Sequence, residues 1–247
     1  MVPGHEIAGK VIAVGEKVKK FKVGDYAGVG CMVNSCKECE ACKSSQEQFC
    51  ENGKTVFTYN CLDYFHGDEP TYGGYSDNIV VDEDFAVTVP QNAPLEKVAP
   101  LLCAGITTYS PLKFSKVGKG SKVGVAGFGG LGVMAVKYAL KMGAEVFVFA
   151  RNENKKDEAL KMGVKALYTT DKLGEVKEKF DLILSTIPTA YEPMDYVNLL
   201  KYEGELAIVG LPPTQDCPSI NIKSLVFSAG KKVYGLNRRY KRNSRNA

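Results

Sequence analysis

Two different apolar patterns divide the chain near Pro94. Before it, apolar runs are short and bounded by turn residues. Val11-Ile12-Ala13-Val14 lies between Gly9 and Gly15, Val23-Gly24-Asp25 closes a turn, and Gly73-Gly74-Tyr75-Ser76 leads into Asn78-Ile79-Val80-Val81. Short apolar runs between glycines predict short strands, and little of this stretch carries helical periodicity. The expectation over residues 1–94 is a compact β lobe.

From Leu95 the pattern changes. Leu95 to Leu102 has the pattern of a helix, Lys122 to Ala126 that of a buried strand, and Leu131 to Met142 a helix with Leu131, Ala135 and Tyr138 at helical spacing. Strand patterns return at Glu145 to Ala150, Lys165 to Thr169, Asp181 to Thr186, Glu205 to Gly210 and Lys232 to Gly235. Segments such as Asn154 to Met162 fit between them as helices. Parallel neighbours need a crossover connection, so this alternation predicts an α/β fold with a doubly wound parallel sheet over 95–235. Its six strands match the count of a full dinucleotide-binding sheet.

Composition narrows the class. A chain that is 45% hydrophobic and 24% charged can build a core, and no apolar run is long enough to span a bilayer. The expectation is a soluble cytoplasmic protein with no membrane partner. The formal charge of +4 hints at nucleic acid, but Arg238, Arg239, Lys241, Arg242 and Arg245 all lie in the last ten residues. Without those five the charge is −1, so the body of the chain has no basic footprint for nucleic acid.

The cysteines carry chemistry. Cys36, Cys39, Cys42 and Cys50 have the spacing C-x2-C-x2-C-x7-C. That spacing lets a short loop wrap one tetrahedral metal with four thiolates, leaving no position open to water. Soft thiolate donors in that geometry select zinc, in a structural role. A disulfide framework is the weaker alternative, since eight cysteines in 247 residues do not make a disulfide-dense scaffold. Cys31, Cys61 and Cys217 lack such spacing and are expected to be ordinary free thiols.

Between the first strand of the second region and its helix lies Gly127-Phe128-Gly129-Gly130-Leu131-Gly132. In that position the first glycine of G-x-G-x-x-G permits a tight turn, the second lets backbone approach a pyrophosphate, and the third allows close helix packing. The helix N-terminus then faces the phosphates with unpaired N–H groups and a favourable dipole. At the end of the next strand, where an NAD site usually places an acid, stand Ala150-Arg151-Asn152, then Lys155 and Lys156. Cations and an amide there suit a 2′-phosphate, which favours NADP(H). Lys155 and Lys156 also fit the solvated face of a helix, so Arg151 is the stronger candidate.

Taken with Gly4-His5-Glu6 and Leu102-Cys103-Ala104-Gly105-Ile106-Thr107, these motifs make the chain resemble the zinc-dependent medium-chain alcohol dehydrogenases. The cinnamyl alcohol dehydrogenase branch is the nearest match, and the likeness runs from Pro3 to about Gly235. The resemblance implies a GroES-like lobe followed by a Rossmann domain, with NADPH as hydride donor to an aldehyde. It also implies a catalytic zinc held by a first cysteine, His5 and Cys103. Glu6 is similar to the family's glutamate that can approach or transiently ligate that metal, and Thr107 to its residue beside the nicotinamide. A homodimer is implied as well. His66, in the polar run Phe65 to Glu69, is expected to be exposed loop.

The chain also departs from the family pattern. Members carry several dozen residues before G-H-E, including a C-x-x-C-H-[ST]-D-like segment with the first zinc cysteine and a proton-relay hydroxyl; here Met1 stands two residues before Pro3. After Gly235 the family continues roughly G-S-x-I-G-G-x-x-E-T-Q-E-M, whereas this chain has a basic tail over 236–247. One back-translation of that tail, read one base later, encodes L-I-G-G-I-K-E-T-Q-E-M. The expectation is therefore a frameshifted tail on a fragment of a zinc-dependent NADP(H) oxidoreductase for primary alcohols and aldehydes, inactive by itself. The alternative is a noncatalytic zinc- and NADP-binding remnant.

Overall fold

The computed structural model describes residues 1–213, 215, 219–228 and 230–235. Cys217 and the basic tail lie outside the described residues. The described residues divide into two compact units, one over Met1–Ile106 and one over 107–235.

The first unit is built from β1 (Ile7–Lys10), β2 (Tyr26–Val29), β3 (Met32–Asn34), β4 (Val56–Phe57), β5 (Leu62–Asp63), β6 (Glu69–Pro70) and β7 (Ala86–Val89). An antiparallel sheet runs β1-β2-β7, and β3-β4 and β5-β6 form two small ladders. Two expected strands differ. The first runs four residues earlier than its apolar pattern, because β2 pairs with Ile7 through Lys10. Val11 still exchanges backbone hydrogen bonds with Asp25 and Gly24, but Ile12 and Val14 face solvent. Asn78 to Val81 forms no strand among the described residues, and Val80 is 95% exposed. In both places a strand-like composition found no partner ladder, and burial rather than propensity decided the outcome.

Helix α1 (Glu40–Lys43) lies inside the cysteine loop, and α2 (Leu95–Val98) runs into a 3-10 turn over Ala99–Leu102. Pro100 lacks the N–H that a continuous α-helix would use there. Next comes α3 (Ala104–Phe114).

The second unit holds β8 (Lys122–Ala126), α4 (Gly130–Lys141), β9 (Glu145–Ala150), α5 (Lys156–Lys161), β10 (Ala166–Thr169), β11 (Phe180–Ser185), α6 (Pro193–Asn198), β12 (Leu200–Ile208), α7 (Ile222–Val226) and β13 (Lys232–Gly235). Its six strands are parallel in the order β10-β9-β8-β11-β12-β13, the doubly wound arrangement with its reversal at β8. Successive side chains of a strand point to opposite faces. Accordingly Val123, Val125, Val146, Val148, Leu182 and Leu184 fill one buried layer. Phe147, Phe149, Ile183 and Leu206 fill the other, with Phe180 and Tyr196. Both faces being covered, the strands read as continuous apolar runs.

Phe149 is fully buried and meets Phe180 and Tyr196 edge-on at ring distances of 5.5 and 5.6 Å. It fits because Gly124 stands opposite: a Cβ there would lie 2.7 Å from the Phe149 ring. Gly124→Val is expected to destabilise the second unit by about 1–3 kcal/mol through overpacking. A urea titration would detect this, and an unchanged midpoint would show that the layer can yield.

Candidate metal centres and cofactor loop

The cysteine loop begins where β3 ends. Cys36 follows Ser35, Cys39 precedes the first turn of α1, Cys42 is buried in that helix, and Cys50 ends the 3-10 turn over Glu47–Phe49. One sulfur atom from each lies within 4.8 Å of all the others. Cys36 and Cys42 are 3.7 Å apart, close to the roughly 3.8 Å edge of a tetrahedron with zinc–sulfur bonds of 2.3 Å. Backbone turns the loop inward: Lys37 sits at φ 59, and the Cys39 N–H donates to the Cys36 sulfur at 3.4 Å. The Cys42 N–H, bonded to Cys39, helps hold that thiol at about 6, whereas burial pushes Cys42 up to about 12. The donor set fits a closed zinc site.

A second group gathers residues far apart in sequence. His5, Cys31 and Cys103 bring one ligand atom each to within 4.8 Å of one another. His5 precedes β1, Cys31 lies between β2 and β3, and Cys103 lies between the 3-10 turn and α3. The His5 ring stacks on Tyr59, with centroids 5.8 Å apart and planes 14° from parallel. Its hydrogen bond to Cys103 holds the imidazole above the ordinary histidine pKa, against burial. Cys31, expected like Cys61 to be an ordinary thiol, is a free cysteine that the fold brings beside His5 and Cys103. The group does not include Glu6, whose Oε1 accepts the Ala104 N–H at 2.9 Å and so anchors the start of α3 beside Cys103. Thr107 follows on α3, at the start of the second unit. His66 is exposed, with Nδ1 2.7 Å from Asp63.

The glycine loop joins β8 to α4. Gly127 has φ +92, and a Cβ there would come within 2.6 Å of the Thr186 hydroxyl. A Cβ on Gly132 would come within 2.0 Å of the Gly127 carbonyl oxygen, so the helix can start this close only with glycine. Gly129 and Gly130 face open space within 4 Å, and the first-turn N–H groups of α4 have no intrahelical acceptor. That is a cradle with room for a phosphate pair. Gly132→Ala is expected to cost about 1–3 kcal/mol of stability from this overlap. A chemical-denaturation curve checks it, and a variant as stable as the parent would refute the close-packing role. At the end of β9, Arg151, Asn152 and Lys155 are exposed, Asn152 Oδ1 accepts the Asn154 N–H at 3.1 Å, and Lys156 pairs with Glu153 at 3.0 Å.

Comparison with known proteins agrees with this layout. Residues 1–91 match the family described as Alcohol dehydrogenase GroES-like domain, and residues 130–247 match Zinc-binding dehydrogenase. A probable formaldehyde dehydrogenase of Bacillus subtilis is 49% identical over 243 residues, covering 96% of this chain and 68% of the relative. This chain belongs to the zinc-binding alcohol dehydrogenase family. An NADP-dependent alcohol dehydrogenase C of Mycolicibacterium smegmatis is 48% identical over 215 residues, covering 86% of this chain and 61% of the relative. The crystal structure described as CAD from Helicobacter pylori complexed with NADP(H) superposes with a TM-score of 0.92 at 63% identity, over 97% of this chain and 68% of that one. The chain thus spans between 61 and 68% of the length of these three relatives. Among its described residues no helix is long and apolar enough to cross a membrane.

Proposed function

We propose that this chain carries the machinery of a zinc-dependent NADP(H) oxidoreductase that interconverts primary alcohols and aldehydes. The observation that carries the proposal is the convergence of His5 and Cys103, from opposite ends of the first unit, on one three-donor group. The resemblance gives the metal a first cysteine with His5 and Cys103, three protein donors that leave a fourth position for substrate, whereas the four-cysteine loop closes its own shell. Zinc at the three-donor group supplies Lewis-acid polarisation of a carbonyl or alcohol oxygen, and NADPH supplies the hydride.

The chain's own residues have distinct tasks. His5 and Cys103 hold the metal, with Tyr59 stacked on the imidazole and Glu6 fixing the Ala104 N–H next to it. Cys36, Cys39, Cys42 and Cys50 hold a structural zinc. Gly127 shapes the turn, the backbone from Gly129 through Leu131 approaches the pyrophosphate, and Gly132 lets α4 begin there. Arg151, Asn152 and Lys155 bind the 2′-phosphate, and Lys156 contributes once released from Glu153. Thr107 lines the nicotinamide. Relatives bearing the names cinnamyl alcohol dehydrogenase and formaldehyde dehydrogenase make aromatic and short aliphatic aldehydes the substrates to try. The assembly is a homodimer, with neither nucleic acid nor membrane as partner.

A zinc and NADPH titration of the chain beside a turnover assay on both aldehyde classes tests the proposal. Turnover that depends on zinc and NADPH supports it. Binding of both without turnover makes this chain a noncatalytic zinc- and NADP-binding protein. Arg151→Gln is expected to weaken NADPH about tenfold or more while leaving NADH within about twofold, since it removes a charge-assisted bond to the 2′-phosphate alone. Equal weakening of both cofactors in fluorescence titrations would remove Arg151 from that role.

A further inference from the structure

We infer that Ser35 is a positioning residue of the four-cysteine loop: its buried hydroxyl gives the Cys42 sulfur the hydrogen bond that a zinc-bound thiolate needs where water cannot reach it. Ser35 lies outside the ligand set, and its role presupposes the structural zinc proposed for the loop.

Four thiolates outweigh the charge of one divalent zinc, so the closed site is anionic. Anionic sulfur is stabilised by hydrogen-bond donors, from water where it is exposed and from protein where it is not. Cys36, Cys39 and Cys50 are partly exposed. Cys42 differs, at 3% exposure, and Ser35 beside it is 1% exposed. The Cys42 sulfur lies 3.3 Å from Ser35 Oγ, and the Lys37 N–H also donates to it. Among the described residues the Ser35 hydroxyl has no other hydrogen-bond partner. A metal-bound thiolate has no proton and only accepts, so with zinc in place the bond runs from the hydroxyl to sulfur. Serine suits this because its hydroxyl proton rotates to whichever acceptor faces it.

The backbone holds Ser35 in that place. Its N–H donates to Asn34 Oδ1 at 2.9 Å, and Asn34, itself buried, pairs with Val56 where β3 meets β4. The hydroxyl is thus anchored to the sheet side of the loop, while Cys42 comes from α1. Asn52 makes the contrast. Its Nδ2 donates to the Cys36 sulfur at 3.5 Å and to Glu38 Oε1 at 3.4 Å, but the residue is exposed, so water replaces that donor when it is lost.

Zinc competition against a coloured chelator, with absorption spectra of the cobalt-loaded whole chain, tests the assignment. Ser35→Ala is expected to weaken zinc at the loop by about 10–100-fold, the scale on which outer hydrogen-bond partners act. Asn52→Ala should weaken it by no more than about fivefold. In Ser35→Ala the sulfur-to-cobalt charge-transfer band should move to lower energy, because a thiolate without its hydrogen bond gives up charge more readily. The visible cobalt bands should keep tetrahedral intensity, which reports that the loop still wraps the metal. Ser35→Thr, which keeps the hydroxyl, should stand closer to the parent than to Ser35→Ala in both readouts. Zinc affinity of Ser35→Ala within about threefold of the parent would overturn the role, since a lost buried donor costs more than that. Weaker zinc with an unmoved charge-transfer band would also overturn it, leaving Ser35 as packing alone. A parent chain without a four-thiolate cobalt spectrum would instead remove the zinc loop itself, and the role of Ser35 with it.

Discussion

Cys42→Ser is expected to strip one zinc from the chain and unfold the loop between Cys36 and Cys50. Metal analysis should show one fewer zinc per chain, and limited proteolysis should cut within the loop. The reason is that little else orders this segment. It holds one four-residue helix and one 3-10 turn, and Cys42 is its buried hydrophobic contact. In small cysteine-rich folds the metal contributes on the order of 10 kcal/mol, because the site does not exist in the unfolded chain. No packing in a loop this small compensates for that loss. A strong chelator acting on the parent chain should reproduce the effect. The six-stranded sheet should survive both treatments, since its two apolar layers are formed within the second unit. Full zinc content in Cys42→Ser, or a loop still resistant to protease, would contradict the structural role.

If the chain turns over aldehyde, His5→Ala is expected to lower kcat/KM by about a thousandfold or more, as loss of several kcal/mol of Lewis-acid stabilisation requires. NADPH affinity should stay within about twofold, because the glycine loop belongs to the other unit. The imidazole is the nitrogen donor of its group, and alanine offers nothing in its place. Zinc content should fall at that site, while the four-cysteine zinc remains. The split matters: a general loss of folding would lower NADPH binding together with turnover. Turnover within tenfold of the parent would show that the His5 group is not where the chemistry occurs.

These two centres also show how unevenly the sequence exposes function. The four cysteines lie within fifteen residues, so their spacing already constrains the donors to one ion. The glycine loop is equally local. Its three roles depend on a tight turn, an open approach and a close helix start, and the side chains that glycine excludes at 127 and 132 are visible in the contacts. The second metal group is different. His5 and Cys103 could be named only through the resemblance to a family, and nothing near Cys31 in sequence signals that it lies beside them. The signal that existed was indirect: glycines at 28 and 30 beside the cysteine, which mark a close backbone approach without saying to what.

The fold divides in the same way. Strands buried on both faces declare themselves as apolar runs, so β8 and β9 match their patterns with little shift. β12 begins five residues earlier than its apolar run. Phe180 on β11 pairs with Leu200, and an irregularity before Glu205, with Glu203 at φ 56, carries the polar stretch between them. In the first unit, Val11 to Val14 and Asn78 to Val81 have strand composition, but the ladders formed elsewhere. The sequence by itself determined the parallel sheet, the phosphate cradle and the four-thiolate loop, because each rests on burial or geometry within a short span of chain. Only the tertiary structure decided which strands of the first unit pair and which cysteine joins His5 and Cys103. Those outcomes depend on contacts between distant segments, and local pattern carries no record of which segments will meet.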